Sequence, residues 1–311
     1  DTLMYRYFQA EQTRGGDGGL NKKLELIVDA KADLAEGPCW DRERKVLYWV
    51  DIVGKKVHMY DPTQLQSRTI EVGQYVGAVV PRKSGGLMLA MHHGFYSLDL
   101  ETEALVPIAD PEREKENNRF NDGKCDASGR FWAGTMELDG KKGEGSLYCL
   151  DRNLDVRTVL QNVSISNGLG WSPDHKTMYY IDTPTRQVAA FDYDLDTGTI
   201  SNKRTVVSIP EGDGDPDGMT VDEEGMIWVA HWGGSRVSRW NPSTGECLEE
   251  IPVPASQVTS CAFGGDHLDE LYITTARLGL GQNDRLNEPH AGGLFRIKVN
   301  VRGLPSHPFA G

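Results

Sequence analysis

A pair of short β-strands recurs six times along the chain, and this repeat limits the possible folds more than any other feature. The first strands of the pairs are LYWVD, LMLAM, FWAGT, MYYID, IWVAH and LYITT, which begin at Leu47, Leu87, Phe131, Met178, Ile227 and Leu271. Their starts lie 40, 44, 47, 49 and 44 residues apart. The second strands begin at Val57, Phe95, Leu147, Val188, Val237 and Leu294. A period of about 40–50 residues with several strands per unit is typical of a β-propeller.

A β-sandwich would also account for many short strands, but it gives no reason for a sixfold period. No long stretch keeps the apolar spacing of an amphipathic helix, and 35 glycines and 15 prolines divide the chain into short pieces. We therefore predict an all-β fold, a six-bladed β-propeller that occupies residues 22–311 as one domain. The segment LELIV, which begins at Leu24, is expected to be the outer strand of the last blade and to close the ring. Residues 1–21 are expected to be a disordered lead-in or an expression remnant.

Composition excludes several classes of partner. The chain has 33 Lys and Arg against 46 Asp and Glu, a net charge of −13, so its surface repels phosphate backbones and anionic lipid headgroups. No apolar run has the length of a transmembrane helix. Five cysteines without a CxxC pair, and no signal-peptide stretch, favour a reducing compartment. We expect a cytoplasmic protein without a nucleic-acid or membrane partner, and the sequence leaves its oligomeric state open.

A third short segment precedes each strand pair, and one aligned position in it is polar in most repeats. The segments are AEGPCW, YVGAVV, FNDGKC, SNGLGW, PDGMTV and TSCAFG, and the aligned residues are Glu36, Val76, Asp122, Asn167, Asp217 and Ser260. The innermost strand of a propeller blade runs along the central channel, so residues in the same register are expected at one depth around it. Four carboxylate or amide side chains would then converge in the channel.

Converging carboxylates repel one another, which is tolerable only where a positive group lies between them. A bound divalent cation is the simplest explanation, because oxygen ligands favour Ca²⁺, Mg²⁺ or Mn²⁺, and Zn²⁺ also accepts carboxylate oxygen. Asp-Gly and Asn-Gly are also common turn dipeptides, so each one taken alone indicates no more than a turn. Their recurrence in one register favours a metal site in the channel but leaves the turn alternative open.

Longer motifs resemble those of the SMP-30/gluconolactonase/luciferin-regenerating-enzyme family, whose members are also called regucalcins. These motifs are AEGPCWD at Ala35, LYWVDI at Leu47, NRFNDGKCDASGRFWAGTM at Asn118, ISNGLGWSPD at Ile165, DPDGMTVDEEGMIWVA at Asp215 and the ending GLPSHPFAG. The resemblance covers about residues 25–311 and implies a six-bladed propeller with one divalent metal in its channel. The implied metal ligands are Glu36, Asn167 and Asp217, and Asp217 is also implied to be the catalytic group that activates the attacking water.

The resemblance also implies contacts with a substrate. It places Arg119 and Asn121 against the substrate and Asp122 near the metal, where it borders the substrate site. Family members often have an acidic substrate contact after a GTM motif. In this chain GTMELDG offers Glu137 or Asp139, and we expect Glu137 to fill the role.

Metal-dependent hydrolysis of a sugar lactone is the function that these residues favour, with the metal polarising the lactone carbonyl and a carboxylate taking a proton from water. Neither a GxSxG nucleophile elbow nor a P-loop is present, so a serine hydrolase and a nucleotide-driven enzyme lack support. The expected cofactor is one divalent ion, Ca²⁺, Zn²⁺, Mn²⁺ or Mg²⁺. Two alternatives remain: a calcium-binding regulatory protein without turnover, as the name regucalcin implies, and an interaction propeller of the YWTD type, which would leave the acidic ring unexplained.

Overall fold

The computed structural model describes residues 23–311, and nearly all of the regular structure in them is β-strand. The predicted lead-in of residues 1–21 and the predicted boundary at residue 22 lie outside the described residues. The first strand in the chain is β1 (Glu25–Val28). Four separate four-stranded sheets follow: β2 (Ala35–Asp41), β3 (Val46–Asp51), β4 (Lys56–Asp61) and β5 (Gln66–Glu71); β6 (Val76–Pro81), β7 (Leu87–Met91), β8 (Gly94–Leu98) and β9 (Leu105–Ala109); β10 (Asn118–Cys125), β11 (Phe131–Glu137), β12 (Gly145–Leu150) and β13 (Val156–Val163); β14 (Ser166–Trp171), β15 (Thr177–Asp182), β16 (Gln187–Asp194) and β17 (Thr199–Ser208).

The remaining strands form two further four-stranded units. Seven of the eight strands in these units are β18 (Asp215–Val221), β19 (Ile227–Trp232), β20 (Arg236–Trp240), β21 (Cys247–Pro252), β22 (Gln257–Gly264), β23 (Glu270–Ala276) and β24 (Leu294–Lys298), and the eighth is β1. β1 pairs antiparallel with β24, as predicted for the LELIV segment, and so completes the last unit. A single pairing of Trp232 with Gln257 joins the two units into one eight-stranded sheet.

Each four-stranded unit begins with the segment that precedes a predicted strand pair, and this strand is called the first strand of its unit from here on. The six first strands form a closed ring. Each of β2, β6, β10, β14 and β18 contacts the next first strand in the chain, and β22 contacts both β18 and β2. This arrangement puts residues from distant repeats side by side at the centre of the molecule. The predicted segments AEGPCW to TSCAFG are these six strands.

Strands behind the ring carry the core. β3 and β7 are buried along their whole length, because their sheets pack against neighbouring sheets on both faces. One apolar cluster joins the first two sheets and includes Tyr48 and Leu89. The fourth strands lie outside and are less buried, and β5 exposes five of its six residues. Burial of apolar surface between sheets therefore holds the second strands rigidly behind the ring.

A C-terminal strap, residues 303–311, crosses the carboxyl ends of the first strands. It binds residues near the ends of β18, β2, β6 and β10 through the pairs Gly303 with Asp222, Ser306 with Trp40, Phe309 with Arg82 and Ala310 with Gly129. Phe309 is fully buried. The strap therefore fastens several units together at one end of the ring.

Helix is nearly absent, as predicted from the sequence. Within residues 23–311 the structure has one α-helix, α1 (Gln282–Asn287), and one short 3₁₀ turn at Thr183–Thr185. None of the described helical segments approaches the length or apolarity that crossing a bilayer requires.

Candidate active site

All six first strands are irregular at the same place. The ladder that joins each to its second strand shifts register between Glu36 and Cys39, Val76 and Ala78, Phe120 and Gly123, Ser166 and Leu169, Pro216 and Met219, and Val258 and Ser260. A bulge leaves residues out of the ladder and turns their side chains in new directions. The aligned positions that the sequence singled out all lie within or at the edges of these bulges.

Glycines after the aligned positions let neighbouring bulges approach closely. A Cβ atom added at Gly218 would lie 2.1 Å from Ser260 Oγ, and one at Gly168 would lie 2.5 Å from Met219 Cγ. These glycines therefore have a packing reason of their own, beyond the turn reading of Asp-Gly and Asn-Gly. Close packing of the bulges brings the side chains before the glycines together.

Three carboxyl groups from different units form a buried acidic cluster. Glu36, Asp122 and Asp217 are 3%, 5% and 6% exposed. Burial raises the pKa of Glu36 well above its usual range, and the charges of Asp217 and Asp122 raise it further. Burial also raises the pKa of Asp217 to about 8, and hydrogen bonds with Glu36 and Asn167 oppose this rise. The Asp217 carboxyl therefore keeps its proton at neutral pH unless positive charge enters the cluster.

Asp122 lies in the same cluster with different neighbours. Burial raises its pKa, while the Lys124 ammonium and the Gly123 backbone N–H oppose the rise. That N–H donates to Asp122 Oδ1 at 2.7 Å, much as Gly37 N donates to Glu36 Oε2 at 2.8 Å. Asp122 is therefore compensated mainly by groups of its own strand.

Asn167 presents an acceptor that has no hydrogen-bond partner among residues 23–311. Its Nδ2 donates to Thr183 Oγ1 at 2.9 Å, and Thr183 Oγ1 in turn donates to the Pro216 carbonyl at 2.8 Å. Its Oδ1 is buried without a hydrogen bond. A buried unpaired amide oxygen is costly, and beside Asp217 a cation would satisfy it. Thr183 thereby fixes the amide and the strand that carries Asp217 relative to each other.

This donor set fits a hard divalent cation. Within residues 23–311, no three His, Cys, Asp or Glu side chains are arranged to hold a metal by themselves. The predicted set of Glu36, Asn167 and Asp217 is of another kind, because its third member is an amide oxygen. Carboxylate and amide oxygens suit Ca²⁺, Mg²⁺ and Mn²⁺, and Zn²⁺ also accepts carboxylates.

Arg119 and Asn121 lie beside the acidic cluster. Arg119 Nη1 donates to Asn121 Oδ1 at 2.9 Å, and Asn121 Nδ2 donates to the Ser166 carbonyl at 2.7 Å. Burial lowers the pKa of Arg119 to about 10, against the charges of Glu36 and Asp217, which favour its ionised form. The guanidinium is thus held near the carboxylates by a side chain that is itself tied to β14.

Glu137 ends β11 and lies apart from the cluster. Its Oε2 accepts hydrogen bonds from the backbone N–H groups of Asp139 at 2.9 Å and Lys141 at 3.1 Å. It lines a cavity of about 430 Å³ that is also bordered by residues 113–118, whereas Asp139 does not. Its contact with a substrate remains a prediction.

Sequence reasoning missed two residues that organise the site. Thr183 follows β15 in the IDTPT segment, and Lys124 follows Gly123 in β10. Lys124 Nζ donates to the Leu169 and Met219 carbonyls, both at 2.8 Å. Neither residue recurs in other repeats, so alignment of the repeats gave no signal for them.

Comparisons with known proteins give matches over most of the chain. Residues 34–277 match the protein-family model described as "SMP-30/Gluconolactonase/LRE-like region". The protein named sugar lactone lactonase YvrE, from Bacillus subtilis, is 43% identical over 92% of this chain and 98% of its own. Regucalcin from Bos taurus is 41% identical over 93% of this chain and 99% of its own. A solved structure of luciferin-regenerating enzyme is 35% identical, covers 93% of this chain and 100% of its own, and superposes with a TM-score of 0.88.

Proposed function

Because the chain belongs to the SMP-30/gluconolactonase/LRE-like family, we propose that it hydrolyses a sugar lactone to the open sugar acid. The observation that carries this proposal is the buried cluster of Glu36, Asp122 and Asp217 beside the unpaired Asn167 Oδ1. Such a cluster is destabilising on its own and gains its stability from a ligand. The names of the Bacillus subtilis and Bos taurus relatives supply the two kinds of ligand to test, a lactone and calcium.

We further propose that the units are the six blades of a propeller and that one divalent ion binds in its channel. Glu36, Asn167 and Asp217 would hold the ion, which is Ca²⁺, Zn²⁺, Mn²⁺ or Mg²⁺. When bound, the ion supplies Lewis-acid polarisation of the lactone carbonyl. It also supplies the positive charge that the acidic cluster lacks.

Asp217 is the proposed general base. Its carboxylate accepts a proton from the attacking water, and the new C–O bond forms at the lactone carbonyl carbon. When the ring C–O bond breaks, the same carboxyl returns the proton to the departing ring oxygen, so no net proton is gained or lost by the enzyme. A positioned base of this kind contributes about 10²–10⁴-fold to the rate.

Arg119 and Asn121 are the proposed substrate-orienting residues. Arg119 has further N–H donors beyond the Nη1 bonds to Asn121 Oδ1 and the Phe120 carbonyl, and these suit the oxygen atoms of a lactone. Asp122 would accept a hydrogen bond from a sugar hydroxyl, and Glu137 would do so from the rim. Holding the lactone in a fixed position beside the base lowers the entropic part of the activation free energy, because the binding step has already ordered the reacting groups.

The decisive experiment combines metal removal with a panel of five- and six-carbon aldonolactones. Exhaustive chelation, checked by elemental analysis, should abolish hydrolysis, and Mn²⁺, Zn²⁺, Mg²⁺ and Ca²⁺ should restore it to different extents. Full activity in the metal-free protein would refute the metal-dependent mechanism. Tight, calcium-selective binding without hydrolysis of any lactone would instead favour the regulatory alternative that the name regucalcin suggests.

A further inference from the structure

Lys124 reaches across the ring of first strands. It belongs to β10, yet its Nζ donates at 2.8 Å to the Leu169 carbonyl in β14 and at 2.8 Å to the Met219 carbonyl in β18. The first strands are sheet edges that face the interior of the ring, so some of their carbonyls have no partner in a ladder. One lysine thus satisfies two such carbonyls and links three units.

The position of the two carbonyls connects Lys124 to the site. Leu169 lies two residues beyond Asn167, and Met219 lies two residues beyond Asp217. In both strands the ladder to the second strand is interrupted between these residues, from Ser166 to Leu169 and from Pro216 to Met219. The ladders resume at Leu169 and Met219, so the bonds from Lys124 tie the two strands together where each bulge ends, in addition to the link through Thr183.

We propose that Lys124 is a positioning residue of the active site, which holds β14 and β18 so that the Asn167 oxygen and the Asp217 carboxylate converge on one cation. This inference rests on the proposed function of the site. Residues that orient metal ligands without touching the metal typically change metal affinity or activity by about 10–100-fold when they are replaced.

If Lys124 acted only through its charge, replacing it would change the metal affinity in the opposite direction. The Lys124 ammonium lies close enough to act on the charge of Asp122. If Lys124 were only a positive charge near the cation, its removal would relieve repulsion and tighten divalent binding. If it positions the ligands, its removal weakens binding in spite of the lost repulsion.

The test is the affinity of the metal-free protein for Mn²⁺, measured by isothermal titration calorimetry. Lys124→Met keeps most of the aliphatic side chain but removes the donors, and its Kd for Mn²⁺ should rise about tenfold or more. Lys298→Met, which removes a lysine paired with Asp269 at 3.2 Å outside the ring, is the control for net charge and should bind as wild type does. Lys124→Arg, which keeps charge and donors, should recover most of the affinity.

Outcomes separate this inference from the proposed function. Tighter or unchanged Mn²⁺ binding by Lys124→Met, with an active wild type, overturns the positioning role alone. A wild type that neither binds Mn²⁺ nor hydrolyses lactones overturns both. If Lys124→Met does not fold, Lys124→Gln takes its place, because it too lacks the charge and its shorter side chain does not reach both carbonyls. Its Kd for Mn²⁺ should also rise, and a lower or unchanged Kd overturns the positioning role.

Discussion

Two Asp-Gly pairs at the same register of the ring, Asp122-Gly123 in β10 and Asp217-Gly218 in β18, differ in almost everything but sequence. Both aspartates are buried and both precede a glycine in a bulge. Asp122 Oδ1 accepts a hydrogen bond from the Gly123 backbone N–H at 2.7 Å, and the nearby Lys124 ammonium favours the charged form of its carboxyl. Asp217 shares hydrogen bonds with Glu36 and Asn167, which come from other units, and its pKa rises to about 8.

The comparison shows that register sets the depth of a residue in the ring, whereas neighbours from other repeats set its chemistry. The groups that favour the charged form of Asp122 lie on its own strand, although burial still raises its pKa. Asp217 is compensated mostly by another acid and by an amide, so its charge calls for a cation. The two aspartates are therefore matched controls for each other.

The largest difference between the two aspartates is expected for turnover, when Asp217→Asn is compared with Asp122→Asn. The amide keeps the shape and one coordinating oxygen but accepts no proton, so kcat should fall by about 10²–10⁴-fold at saturating metal, or roughly 3–5 kcal/mol of transition-state stabilisation. Asp122→Asn should lose far less. The measurement is kcat against pH for both variants and wild type, and near-wild-type turnover by Asp217→Asn would leave Asp217 as a ligand alone.

A second prediction concerns the stability of the metal-free protein. An unfolded aspartate ionises near pH 4, whereas folded Asp217 keeps its proton up to about pH 8. Between these values the folded state binds more protons, so the stability present at low pH is lost as pH rises towards 8, by up to about 1.4 kcal/mol per pH unit. Thermal unfolding in a chelator should show this fall in wild type.

Asp217→Asn should flatten that pH profile, and Asp122→Asn should flatten it less, because Lys124 and the Gly123 N–H already favour the charged form of Asp122. Part of the slope should persist in both variants, since the pKa of Glu36 is also raised. Equal slopes in wild type and Asp217→Asn would contradict the raised pKa of Asp217.

The smallest expected effect is that of Asp122→Ala on turnover. Because Asp122 lies outside the proposed ligand set, the variant should keep its metal and lose only about two- to tenfold in kcat, or up to about 1.4 kcal/mol. Metal content by elemental analysis, measured beside Glu36→Ala, checks this. If Asp122→Ala loses metal as completely as Glu36→Ala does, Asp122 belongs among the ligands.

Sequence alone was sufficient for the strands that bury apolar residues. The strands at Leu47, Leu87 and their counterparts are buried behind the ring, so their composition marks them clearly. Apart from β1, which is the predicted LELIV segment, the outer strands were not predicted, since strands such as β5 and β17 are mostly exposed and carry polar residues with no regular pattern. A strand is recognisable in a sequence by the pattern of its buried apolar residues, and these strands bury few residues.

The site was predictable only in part, for a related reason. Glu36, Asp122, Asn167 and Asp217 share a register, and alignment of the repeats therefore finds them. The bulges depend on how each first strand pairs with the second, and the contacts of Thr183 and Lys124 join units that are distant in sequence. Interactions between repeats have no period, so no comparison of repeats detects them.

Closure of the ring by β1 and β24 has a consequence for how the protein is made. A chain leaves the ribosome at about 5–20 residues per second, and its strands emerge in the order of the sequence. The pairing of Glu25 with Arg296, however, waits for nearly the whole chain. Glu36 and Asp217 are brought together by the same ring. During synthesis the acidic cluster is thus completed only after most of the chain has emerged, because Glu36 and Asp217 belong to the first and fifth units.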